Sequence, residues 1–369
     1  MQTIHINDYQ KLTGKELQND LKIVGQAPRS CAEIFREFKG KALDLSDLDM
    51  SATVDVSRMV AGCENLTSLT FPKQESHPVY LDYMCAGCKS LTTIDLAGIK
   101  TDQTVRARGA LLNCTSLEEV DLGGLDTSSL RDAREVFANC EQLRDVNLAG
   151  VSGPQLISVS GIFENCKSLT EIDLSDFQSN QMKDMSEAFA GCQALKEVKL
   201  PALESKDLLD LSSLCEDCHE LEHINIGNLD TSAVVDMSSM LENCRALEDI
   251  NACISGLETN NVRDFSRTFY GCEAAKTLNL SDFDLSNALY LDGLCAECSS
   301  LERVNAQTLQ LDNALTTEHI FDGCLNLGEV VLPENRNDKL KTIEAQAEIQ
   351  IHHYNEIAAP ELEANDLEL

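Results

Sequence analysis

Tryptophan is absent from the 369-residue chain, and aromatic residues make up only 5% of it. A core built from the 43% hydrophobic residues must therefore be aliphatic. Basic residues are scarce: 29 Lys and Arg stand against 62 Asp and Glu, for a formal charge of −33. That deficit argues against nucleic acid, whose phosphates are neutralised by Lys and Arg. It argues equally against an anionic membrane surface. No run approaches the roughly 18–20 apolar residues of a membrane span. The first residues, MQTIHINDYQKLTGKE, lack a basic segment followed by an apolar run, so a cleaved signal peptide is not expected. Also missing are a Gly-rich phosphate loop, an HExxH motif and a GxSxG elbow. No enzyme is nominated, and no cofactor is expected.

What the chain does hold is a ruler. Of its 16 cysteines, eleven fall at 63, 88, 114, 140, 166, 192, 218, 244, 272, 298 and 324. Eight of the ten steps are 26 residues, one is 25, and the step from Cys244 to Cys272 is 28. A fixed period of this size marks a solenoid or propeller. Three residues after the cysteine comes Leu, except at Ala275. Six after comes Leu, Val or Ile, and eight after a second apolar residue, often Leu, as at Leu122, Leu148 and Leu174. These last two positions alternate with polar residues, which predicts a short strand with one buried face. Before the next cysteine, runs such as Asp184-Met185-Ser186 followed by EAFAGC predict a short helical segment. Its N-cap is expected at the Ser six before the cysteine (Ser57, Ser186, Ser238). Gly or Asn just before the cysteine would close it. One unit of 26 residues cannot offset its own ordering entropy, so the units must stack and share a core. The expected fold is an α/β repeat solenoid: a curved stack with a parallel, concave sheet and short helical segments on the convex side.

Strings such as CKSLTEIDLSDFQSNQMKDMSEAFAGC (166–192) and CHELEHINIGNLDTSAVVDMSSMLENC (218–244) resemble the leucine-rich repeats of BspA-like bacterial surface proteins. The resemblance covers about residues 31–332 and implies a leucine-rich-repeat fold. It also implies a protein that binds host or partner proteins.

Residues 1–40 are expected to form an N-terminal cap and the start of a degenerate first unit, and 41–332 the solenoid. Residues 333–355 are expected to form a C-terminal capping helix through Ile343, Ala347, Ile351 and Tyr354, and 356–369 an acidic, solvated tail. The two extra residues between Cys244 and Cys272 are placed near 252–256, in the turn after a strand.

The segment CEDCHELEH offers Cys215, Cys218, His219 and His223 as zinc or haem-type ligands. The register explains them more simply. Cys218 is a ladder cysteine, Cys215 fills the slot held elsewhere by Phe137, Phe163 and Phe189, and His223 faces away from the core. The same slot logic covers Cys85 and Cys295. Equivalent, unpaired cysteines favour a reduced interior and cytoplasmic residence, or export without a cleaved signal peptide, over surface display.

Alternation turns the fifth and seventh residues after each cysteine to solvent. The partner-binding set read from them is Asp95, Glu119, Asp121, Asp145, Asn147, Glu171, Asp173, Glu197, Asn225, Asp249, Asn251 and Asn279. It predicts a monomeric, non-catalytic module, of effector or inhibitor type, that docks a basic protein on an acidic sheet. The alternatives are a structural scaffold or adhesin kept soluble by its acidity, or a redox or metal protein using Cys215 and Cys218.

Overall fold

The computed structural model describes residues 1–348 apart from 13–15, 73–74, 97–98, 204 and 335–336. The chain divides into two compact units, Met1–Leu195 and Lys196–Leu369. Each unit is a parallel β-solenoid of the leucine-rich-repeat class.

In the first unit, β1 (Gln2–His5), β2 (Leu21–Gln26), β3 (Ala42–Asp49) and β4 (Ser68–Thr70) form one parallel sheet in that order. A one-turn helix, α1 (Ile6–Tyr9), links β1 to the next coil and buries Ile6 and Tyr9. Next come β5 (Thr93–Ile94), β6 (Glu119–Asp121), β7 (Asp145–Asn147) and β8 (Glu171–Asp173). Pairing is in register at the repeat spacing, as in Glu119 with Asp145 and Val120 with Val146. Val120 and Ile172, on β6 and β8, are buried between exposed neighbours, as period-two alternation requires.

The second unit has β9 (Glu197–Lys199), β10 (His223–Ile224), β11 (Thr277–Asn279), β12 (Arg303–Asn305) and β13 (Glu329–Val331). Here one coil departs from the pattern. Where the register predicts a strand, Ile250–Ile254 forms a short helix, α2, capped by Asp249, whose carboxylate accepts from Ala252 N at 3.0 Å. The two extra residues are therefore not a turn after a strand, since they accompany the strand's replacement. Ile250, Cys253 and Ile254 still point inward, so the coil keeps its share of the core.

A second row of parallel bridges runs along the other side of the coils. It links Ser30, Asp55, Tyr80, Arg106, Asp132, Ser158 and Asp184 in the first unit. Asp210, Asp236, Asp264, Tyr290 and Thr316 form its counterpart in the second. After each bridge the sequence pattern predicts a short helix, and the backbone does otherwise. Two residues per coil take positive φ, one five and one just before the cysteine, as at Glu135 (φ 56°) and Asn139 (φ 60°). N–H groups then alternate between the coil's own carbonyls and those of the next coil. Val56, Arg58, Val60 and Gly62 donate to Tyr80, Asp82, Met84 and Ala86, while Met59, Ala61 and Cys63 donate three residues back. Every second N–H thus joins an inter-coil ladder that an α-helix would have consumed internally. The Gly or Asn before the cysteine suits its left-handed backbone. Arg58, Tyr83 and Glu135 adopt the same region against their intrinsic preference, which costs each about 1–2 kcal/mol. The Ser expected as an N-cap is not the capping residue. The Asp two before it accepts from the Ser backbone N–H, as Asp184 does from Ser186 at 3.0 Å and Asp236 from Ser238 at 2.9 Å.

All 16 cysteines are free and buried. The ladder thiols share one arrangement. Each donates to the carbonyl three residues before the preceding coil's cysteine position. Cys114 reaches Cys85 O at 3.2 Å, Cys140 reaches Leu111 O at 3.3 Å and Cys166 reaches Phe137 O at 3.3 Å. In the second unit Cys244, Cys272 and Cys298 reach Cys215, Leu241 and Phe269 in the same way. Cysteine suits the slot because it fills it as a small apolar group and carries one donor. Burial pushes the Cys140 thiol up to about 12 and holds Cys85, Cys114 and Cys166 well above the ordinary range. The slot three before the cysteine stacks likewise: Phe137 and Phe163 lie 5.2 Å apart between ring centroids, and Phe163 and Phe189 6.1 Å.

The ladder starts before the first ruler cysteine. Phe38 stands in the cysteine slot of the preceding coil, with Cys31 and Phe35 buried beside it. At the other end a helix, α3, occupies 338–348 and buries Leu340, Ile343 and Ala347. Gln346 closes the last coil: its amide donates to Thr317 O at 2.8 Å and accepts from Ile320 N at 3.0 Å. Ile351, Tyr354 and the acidic segment 356–369 lie outside the described residues.

Candidate protein-binding surface

Fifth-position residues stand outward on the strands of the first unit. Glu119, Asp145 and Glu171 are all exposed, and among the described residues no hydrogen bond or ion pair engages their carboxylates. Glu119 and Asp145 face each other directly across neighbouring parallel strands. Like charges in that position repel, so the row stores an uncompensated negative potential.

Seventh-position residues do a different job. Asp121 Oδ1 accepts from Gly123 N at 2.8 Å and from the Asn147 amide, also at 2.8 Å. Asn147 Oδ1 accepts from Ala149 N at 3.0 Å, and Asp173 Oδ1 from Ser175 N at 2.9 Å. Each is an Asx turn that ends the strand and starts the return. These residues are exposed, but part of their acceptor capacity belongs to the fold. Asp95 is exposed just after β5.

The predicted residues of the second unit are less uniform. Glu197, on β9, is half-buried, and Asn225 is exposed just after β10. Asp249 is the cap of α2 and Asn251 lies inside it, so neither stands on a strand as the sequence register predicts. The Asn251 side chain is fully engaged: its amide donates to Thr277 O at 3.0 Å, and its Oδ1 accepts from Asn279 N at 2.7 Å. It stands in for the missing strand and offers little to a partner. Asn279 is exposed on β11 and accepts from Ser281 N at 3.1 Å. Further along, Arg303 and Glu329 neutralise one another across β12 and β13 at 3.2 Å.

Cys215 and Cys218 are both fully buried, whereas His223 is exposed on β10. His219 lies 3.6 Å from the Asp217 carboxylate. Among the described residues no three His, Cys, Asp or Glu side chains are grouped as a metal site would require. His352 and His353 fall outside the described residues. Among the described residues no helix is long and apolar enough to cross a membrane.

Two features of the opposite side escape a reading based on strand alternation. Asp82, only 5% exposed, pairs with Arg106 of the next coil, which also lies over the Tyr80 ring at 5.4 Å. Glu242, 6% exposed, pairs with Arg267, which lies 3.7 Å over the Tyr270 ring. Each carboxylate and its arginine are 24 or 25 residues apart, a little under one repeat period, so opposite charges at near-period spacing are the signal that could have found them.

Solved structures of similar fold include bacterial leucine-rich-repeat proteins. A leucine-rich repeat protein from Bacteroides ovatus is 17% identical, with 87% of this chain and 80% of that one covered and a TM-score of 0.39. A leucine rich cell surface protein from Faecalibacterium prausnitzii is 16% identical over 74% of this chain and 86% of that one, with a TM-score of 0.29. An internalin from Listeria monocytogenes is 14% identical over 90% and 93%, with a TM-score of 0.23. No curated protein sequence matches the chain. The family model described as "Mycoplasma protein of unknown function, DUF285" matches residues 29–148, 108–207, 157–274 and 209–331, and the chain belongs to that family.

Proposed function

We propose that the chain is a non-catalytic protein-binding module that engages a basic protein partner through the outward strand row of its first unit. Leucine-rich-repeat folds commonly serve as protein-interaction modules, because stacked strands offer an extended, preformed surface. The observation that carries the reading is the register pair Glu119 and Asp145, with Glu171 on a neighbouring coil: three exposed carboxylates with no cation among the described residues to neutralise them. A row of like charge that the fold leaves unpaired is relieved when a basic surface covers it. The formal charge of −33 adds long-range steering of such a partner and disfavours nucleic acid and anionic membranes. On this reading the protein acts as a monomeric effector or inhibitor related to BspA-like repeats. Its free, buried thiols fit residence in a reducing compartment such as the cytoplasm.

The test is an affinity capture with the full chain and with the triple variant Glu119→Lys, Asp145→Lys, Glu171→Lys. A basic protein captured by the wild type and lost by the variant supports the proposal. Equal capture by both overturns it.

A further inference from the structure

Each coil sends two inward side chains from the turn segment, seven and four residues before the ladder cysteine. In the first unit these pairs are Val56 and Met59, Leu81 and Met84, Val159 and Ile162, Met185 and Ala188. One coil carries alanine at both places, Ala107 and Ala110, and the next adds Ala133. Coil spacing is fixed by the backbone ladder, so neighbouring coils cannot close in to fill the space. The structure shows the result: a cavity of about 120 Å³ inside the first unit, walled by Met84, Ala107, Ala110, Phe137, Ile162 and Phe177 among others. Its accessible surface is entirely apolar, although Thr101, Thr104 and Thr127 stand in the wall. Leu96, Leu122 and Leu148 retain accessible surface, while their counterpart Leu174 is buried.

Water gains little there, because a buried water needs about two to four hydrogen-bond partners and, among the described residues of the wall, only the Thr101 hydroxyl is left without one. An empty void forfeits dispersion contacts along its whole lining. An apolar guest restores them without leaving a polar group unsatisfied, whereas a charged or strongly polar one would lose its hydration uncompensated. In size and chemistry the cavity is comparable to engineered apolar cavities of about 150 Å³ that stay dry and take benzene or xenon. We propose that it is a binding site for a small, neutral, hydrocarbon-like molecule of about the size of benzene. The site is independent of the carboxylate row.

Benzene added to the full chain tests this by its effect on thermal unfolding. At about ten times its dissociation constant it should raise the wild-type midpoint by roughly 2 °C or more. In Ala110→Met, which places in the void the residue that the preceding coil holds at Met84, the shift should vanish and the midpoint without ligand should rise. No shift in the wild type, or equal shifts in both proteins, overturns the proposal. Methyl NMR of the wild type under xenon pressure needs no variant. Shifts confined to Ala107, Ala110, Ala133 and their neighbours support the site, and shifts elsewhere or none overturn it.

Discussion

The two units share an interior and differ in what they show to solvent. Inside, both stack one thiol per coil against the preceding coil's carbonyl, at 3.3 Å for Cys140 and 3.3 Å for Cys272. Outside, the strand row of the first unit leaves Glu119, Asp145 and Glu171 unneutralised, whereas the second balances Glu329 with Arg303 and ties Asn251 into the backbone. The lesson is that the repeat constrains buried slots tightly and leaves outward slots free to diverge. Function is therefore to be sought where the two exteriors part.

The shared interior predicts the largest effect. Thiols in an unfolded chain titrate near about 8.5, whereas Cys140 is held at about 12 by burial. The folded value is the raised one, so this contribution is fully present below about pH 8.5 and is lost as pH rises towards 12. Each such thiol costs roughly 1.4 kcal/mol per pH unit in that window. Denaturant midpoints should fall steeply above about pH 9, in both units together. A flat profile to pH 10.5 would contradict a buried thiol ladder.

Next come the paired carboxylates, one in each unit. Arg106→Ala and Arg267→Ala leave Asp82 and Glu242 buried beside an empty place. Each should cost about 2–3 kcal/mol in chemical denaturation, after allowance for the half-exposed arginines. No loss in either variant would contradict the pairing of these buried carboxylates with their arginines.

The exteriors should then separate. Reversing Glu119, Asp145 and Glu171 to Lys should weaken a basic partner by about 30-fold, mostly through slower association at low salt. Thr277→Lys with Asn279→Lys in the second unit should change affinity by less than about 3-fold. The smallest effect is local: Glu119→Gln removes one member of a like-charged pair and should stabilise by at most about 0.5 kcal/mol, a gain that salt erases.

Much of this was legible in the sequence. The cysteine ruler located the strands, the buried slots and the outward residues, because each is a steric position repeated every 26 residues. The turn segment reads as helix in the sequence because its apolar spacing also suits one helical turn. The residues that mark it otherwise, Arg58, Tyr83 and Glu135 at positive φ, carry no compositional flag. Helix α2 escaped notice because Ile250 and its neighbours keep inward slots in either conformation. The roles of Asp121 and Asp173 as turn formers were hidden behind their exposure, since an Asx turn and a free carboxylate look alike in an alternating pattern. The double alanine at 107 and 110 was visible, but only the fixed coil spacing turns small side chains into a cavity.

Everything outward-facing in this account depends on thiols that face inward. Cysteine alkylation at pH 8, resolved by mass spectrometry in native and denatured protein, tests that directly. The ladder cysteines should stay unmodified in the native chain, and all 16 should react once it is denatured. Native labelling of Cys140, Cys166 or Cys272 at the denatured rate, or pairs that fail to react even when denatured, would contradict it.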